Sequence, residues 1–128
     1  MIKPECHLWG EKFSPSVLKE IENIQLMRVN EPCEIGSTGR YKGVPLPYGA
    51  CTICTPKTIP IPDRISWMAD FIREHKSKFI EAGARDITFW ICWYGIQGNM
   101  EFSPSELNKI AKLNIHLCIN YIQEDPFD

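Results

Sequence analysis

A few side chains in this 128-residue chain are of types that carry chemistry, and their spacing limits what each can do. Cys51 and Cys54 bracket a Cys-Thr-Ile-Cys run. A redox pair of this spacing works at a helix N-terminus, where one thiol pKa is lowered. Here the run is β-branched and leads into Thr55-Pro56, so it reads as a strand. Residues three apart in a strand point to opposite faces, which separates the two thiols. A structural zinc site would want a second such pair, and the sequence has none. Ser14 and Ser16 have no His or acid patterned as a triad, and Gly-x-Ser-x-Gly is absent. Gly39-Arg40-Tyr41-Lys42-Gly43 is basic and glycine-rich but lacks the strand-to-helix context and the Ser or Thr of a phosphate loop. It reads as a solvated loop. His7 and His116 fall in strand-like runs and would make a metal-binding or small-molecule enzyme site only if one sheet face brought them together. No catalytic residue, metal or cofactor is assigned from these patterns.

The bulk properties narrow the function classes. A net charge of −2 and a pI near 5.9 disfavour a nucleic-acid partner, which usually calls for a basic face. No apolar run approaches the ~18 residues that span a bilayer. Residues 1–5 carry no apolar leader core, so a cytoplasmic protein with no membrane partner is expected. Six cysteines would suggest a disulfide framework in a small secreted chain. In a chain with 44% hydrophobic residues and a reducing compartment, free thiols acting as small buried hydrophobes are expected instead.

The elements that must position these residues follow from periodicity and punctuation. Strands are expected over residues 5–10, 25–30, 50–55, 86–95 and 115–122, and helices over 15–23, 63–82 and 104–113. Asp63 is a suitable N-cap and Gly83 a suitable C′ residue for the longest helix, whose stripe is Ile65, Met68, Ile72, Phe79 and Ala82. Val17, Leu18 and Ile21 form the stripe of the first helix. Residues 31–48, rich in Gly and Pro, read as a loop or irregular hairpin. The order β-α-β-β-α-β-α-β points to a single α+β domain over residues 1–128. Its sheet should be mixed and largely antiparallel, with helices packed on one face.

Two segments are written twice. "FSPSVLKEI" from Phe13 and "FSPSELNKI" from Phe102 agree at six of nine positions. With Ser14 and Ser103 as N-caps, Pro15 and Pro104 fall at N1, where a missing N–H is harmless. Phe13 with Leu18 and Phe102 with Leu107 form hydrophobic staples, and Glu106 can close a capping box with Ser103. Asn23-Ile24-Gln25-Leu26 is matched by Asn114-Ile115-His116-Leu117. An internal pseudo-repeat with halves at about 5–30 and 86–122 is therefore expected, and the repeated serines have structural rather than catalytic roles.

The closing run "GIQGNMEFSPSELNKIAKLNIHLCINYI" resembles the last helix and strand of the bacterial domain-of-unknown-function family 4279. The opening "LWGEKFSPSVLKEI" and the later "GRYKGVP" are similar to that family's first strand, first helix and basic-glycine stretch. The resemblance covers both ends of the chain. It carries no catalytic residues. Some members of the family lie beside toxin genes, so it implies an immunity protein.

Strand alternation supplies candidate binding residues. Phe89, Ile91, Trp93, Leu117, Ile119, Tyr121 and Leu8 should pack beneath the helices. Trp9, Trp90, Tyr94, His116 and Asn120, with His7, should form an aromatic and polar face on the other side. Three uses of that face are open: cover by residues 31–48, contact with a protein partner or a second copy in a homodimer, or a site built on His7 and His116. Trp and Tyr dominate the energetics of protein interfaces. Glu31, Glu34, Glu124 and Asp125 could complement a basic toxin, and Arg40 and Tyr41 lie in the same loop as the first two. The function expected is neutralisation of a cognate toxin acting in the cytoplasm, such as a nuclease, by covering its active site.

Overall fold

A computed structural model describes residues 2–95 and 98–123. Glu124 and Asp125 lie outside the described residues. Alternation of apolar side chains produces five strands: β1 (Ile2–Gly10), β2 (Leu26–Asn30), β3 (Gly49–Cys54), β4 (Asp86–Gly95) and β5 (His116–Gln123). They form one sheet in the order β2-β3-β1-β4-β5. β1 runs antiparallel to both β3 and β4, and β2 antiparallel to β3. β4 and β5 are parallel, and a parallel pair needs a crossover. α2 (Pro104–Lys112) supplies it. α1 (Arg64–Glu81) carries the chain from β3 past β1 to β4. β1 to β4 thus follow the split β-α-β-β-α-β arrangement, with the segment Pro15–Glu20 in the first helix position. The fold is α+β with a largely antiparallel sheet. No helix among the described residues is long and apolar enough to cross a membrane.

The core lies between one face of the sheet and the helices. Cys6 and Leu8 of β1, Cys51 and Ile53 of β3, and Phe89 and Ile91 of β4 meet Ile65, Met68, Ile72 and Phe79 of α1 and Ile110 of α2. Each fully buried side chain of this size contributes ~1.5–3 kcal/mol. The expected α1 stripe is buried throughout.

Four local expectations are corrected. The first helix is a 3-10 segment, Pro15–Glu20. Pro15 and Leu18 of the segment and Ile21 at its C-cap are buried, a spacing of three, which matches a 3-10 repeat better than an α one. Val17, expected in the stripe, is exposed. Ser14 sits at the N-cap with extended backbone but makes no side-chain cap bond. Glu31 takes over that work: its carboxylate accepts from Ser16 N–H at 2.7 Å and from the Ser14 hydroxyl at 2.8 Å. Asp63 makes no cap bond either. The turn Ile61–Asp63 already bonds Asp63 N–H to the Pro60 carbonyl, so Asp63 lacks the extended geometry a cap needs.

Other ends behave as their sequence demands. Ser103 and Glu106 form a complete capping box, with bonds of 2.8 and 3.1 Å. Gly83, at φ 103°, ends α1 in a Schellman arrangement, Ala84 N–H reaching Phe79 O and Gly83 N–H reaching Ile80 O. Gly49 is required for a different reason: a Cβ there would run into the Phe13 carbonyl. That close approach seats Phe13, which is fully buried, under the start of β3.

Candidate functional site

The face of the sheet away from the helices is built by residues of one parity. Register places Cys54, Glu5, Trp90 and Cys118 in one row across β3, β1, β4 and β5. Thr52, His7, Thr88 and His116 form the next, and Lys3, Cys92 and Asn120 a third. Trp9, paired with Ala50 and Asp86, stands at one end. Neighbours in such rows lie ~4.5–5.5 Å apart and touch.

The centre of the face is a carboxylate. Glu5 is only 8% exposed although it lies on the face away from the helices of the core. Its Oε2 lies 3.3 Å from His7 Nε2, and its Oε1 accepts from the Cys92 thiol at 3.4 Å. The His7 hydrogen bond holds the carboxyl below its ordinary range, against burial, which works the other way; Cys92 and the charge of Arg28 reinforce the lowering. His7 stacks on Trp90 with ring centroids 4.4 Å apart and planes 10° from parallel. The stack and the hydrogen bond together hold the imidazole, so Glu5, His7 and Trp90 are one unit. Lys3 lies over the Tyr94 ring at 5.1 Å, a cation–π contact at the rim.

Cys51, Cys54 and Cys92 are held away from the reactive thiolate form. All six are free. Burial and the adjacent Glu5 push the Cys92 thiol up to about 11, and burial with Glu31 pushes Cys51 up to about 12. Burial raises Cys54 as well, with Glu5 adding to it. Cys51 pairs with Leu8 on the core side, whereas Cys54 pairs with Glu5 on the open side. The Cys51–Cys54 spacing therefore does not make a dithiol.

The residues singled out by sequence separate into two groups. Trp9, Trp90, Tyr94, His116 and Asn120 share the open face. Tyr41 reaches its end, packing on Tyr48 at 5.9 Å, and Tyr48 packs on Trp9 at 5.8 Å; Arg40 lies over the Tyr41 ring. Residues 31–48 form an irregular hairpin, held by paired bonds between Glu34 or Cys33 and Leu46, and their rings meet the open face at Trp9. Glu31 and Glu34 are not part of the face. Glu31 is committed to Ser14 and Ser16, and Glu34 accepts from Glu31 N–H. His7 and His116 are on the same side but separated by β4, so their Cα atoms stand roughly 9.5 Å apart. His7 is turned to Glu5 and Trp90, and the two imidazoles do not form a ligand pair. Among the described residues, no three His, Cys, Asp or Glu side chains converge as metal ligands.

Sequence reasoning missed Glu5, the centre of the face. Its signal was present: Glu5, His7 and Trp9 alternate on one side of β1. What hid it was the habit of treating a lone carboxylate as solvated. No protein-family model, curated protein or solved structure matches the chain.

Proposed function

We propose that the chain is a protein-binding module whose open sheet face docks on a protein partner. The observation that carries this reading is the Glu5–His7–Trp90 unit. It places a buried carboxylate and a stacked aromatic pair at the centre of the sheet face that points away from the helices of the core. Trp9 and Tyr94 extend the aromatic surface to either side, and Lys3 and His116 give it a polar rim. Trp and Tyr are among the residue types enriched at protein interfaces. Aromatic side chains already held in place lose little freedom on binding, which favours affinity.

The partner we infer is a bacterial toxin acting in the cytoplasm, such as a nuclease, with the chain as its immunity protein. The support is the resemblance of both ends to family 4279. Neutralisation would consist of covering the toxin's active site or its substrate path, with no chemistry by this chain. We read the two copies of the FSPS segment as a pseudo-repeat that serves folding. Asn23 and Asn114, matched between the two copies, both lie in the left-handed region beyond their helical segments, at φ 63° and 52°, which supports that reading.

The reading predicts a toxin-like reading frame next to this gene, and the test is co-expression of the chain with that frame's product. Cells should survive with the native chain and die with Trp90→Ala, a substitution expected to cost about 2 kcal/mol of binding or more. Circular dichroism of the purified variant checks that it folds. Cell death with the native chain present would overturn the toxin reading.

A further inference from the structure

A second recognition feature lies on the opposite layer of the molecule. A cleft of about 840 Å³ opens between α1, the residues leading into β2 and those following β3. Its size is in the range of small-molecule and side-chain binding sites. Trp67, Phe71 and His75 succeed one another at four-residue spacing on the wall supplied by α1. Trp67 stacks on Phe71 at 5.0 Å and 18°, and Phe71 meets the His75 ring at 4.5 Å. Glu22 lines the facing wall and Glu74 the α1 side. No Lys or Arg lines the cleft. Arg64 is held elsewhere, its guanidinium donating to the carbonyls of Ile59 and Lys57 and bracing that wall.

We propose that this cleft binds an alkylguanidinium group, the end of an arginine side chain. Trp67, half-buried at the end of the ladder, lines the cleft as the ring for a cation, and Glu22 and Glu74 on separate walls complement its charge, Glu74 Oε2 also lying 3.9 Å from His75 Nε2. A guanidinium suits the arrangement better than an ammonium. It is planar, stacks flat on an aromatic ring, and carries donors in a fork that can serve two carboxylates. Ile59 supplies an apolar wall for the aliphatic stem. The cleft and the open sheet face are on different layers, so this inference does not rest on the proposed toxin partner.

The experiment is a titration followed by nuclear magnetic resonance of the four tryptophan indole N–H signals, that of Trp67 being identified with Trp67→Phe. Two guanidinium probes are used: agmatine and a capped Gly-Arg-Gly peptide. The same peptide with citrulline in place of arginine is the neutral control. Saturable shifts of the Trp67 signal are expected with a guanidinium probe in the millimolar range or below. Citrulline and the double variant Glu22→Gln/Glu74→Gln should each weaken the response at least tenfold. Both carboxylates are exposed, so the variant keeps its fold. Binding of the peptide identifies an arginine in a chain as the ligand, and binding of agmatine alone identifies a free guanidine; either supports the assignment. No saturable shift with either probe, or an equal response to citrulline, overturns it.

Discussion

Replacing Glu5 by Gln is the most direct probe of the open face. The substitution keeps the shape and one acceptor but removes the charge. Hydrogen bonds to charged groups contribute ~1.5–3 kcal/mol each. The two at Glu5, at 3.3 and 3.4 Å, are long, and a buried carboxylate carries a desolvation cost that the amide escapes. The net loss should therefore be about 1–2 kcal/mol near neutral pH. Its pH dependence separates charge from shape. The folded-state carboxyl is lowered from 4.5, so on acidification the unfolded chain takes up the proton first. The stability due to the charge is present above 4.5 and is lost as pH falls through the lower folded value. Glu5→Gln has no such proton to gain. Urea unfolding of both proteins from about pH 7 to about pH 3 should show a gap that closes on acidification. A gap independent of pH, or a variant more stable than the native chain at neutral pH, would refute the view that an ionised Glu5 organises His7 and Trp90.

Three further predictions rest on local structure. Ser103→Ala should destabilise by about 1 kcal/mol because it opens a complete capping box. Ser14→Ala should cost less than Glu31→Ala, since Glu31 serves both Ser14 and Ser16; urea midpoints showing the reverse order would contradict the assignment of Glu31 as the capping group. Under native conditions a thiol reagent should label the exposed Cys33 first and leave the buried Cys6 and Cys51 untouched until unfolding; mass spectrometry of the labelled peptides checks the order.

Where one physical rule governed a segment, sequence was enough. β4 runs over Asp86–Gly95 as its alternation required, and α2 starts at Pro104 behind its box. The open face also follows from parity alone: Trp9, Trp90, His116 and Asn120 needed only the strand period to be placed together, whereas Leu117, Ile119 and Tyr121, expected beneath the helices, are exposed on the edge strand β5. Where two rules competed, sequence was not enough. Phe13-Ser14-Pro15 has every mark of an α-helix start, yet Pro15, Leu18 and Ile21 bury at intervals of three and the segment winds as 3-10. Nothing in the local sequence shows that Glu31, seventeen residues beyond Ser14, supplies the missing cap. Long-range partners of this kind are set by how β2 returns beside β3, a tertiary fact.

The same distinction bears on where a binding surface can arise. The two FSPS segments are constrained by burial and by helix geometry, which leaves their repeated residues little freedom to recognise a partner. Phe13 is sealed beneath Gly49, and Ser103 is occupied by Glu106. The open face is constrained differently. Its strands are fixed by the core on the other side, so its own side chains can vary without unmaking the sheet. A hydrophobic residue at position 5 would satisfy burial with no desolvation cost. Holding a carboxylate there, with His7 and Cys92 arranged to meet it, brings fold stability less directly than an aliphatic side chain would. It does fix the plane of His7 and, through the stack, the plane of Trp90. If the face is the binding surface, Glu5→Leu should retain the fold and still weaken binding through the loosened Trp90. Unchanged partner affinity in Glu5→Leu, beside a loss in Trp90→Ala, would leave Trp90 in the interface and remove Glu5 as its positioning residue.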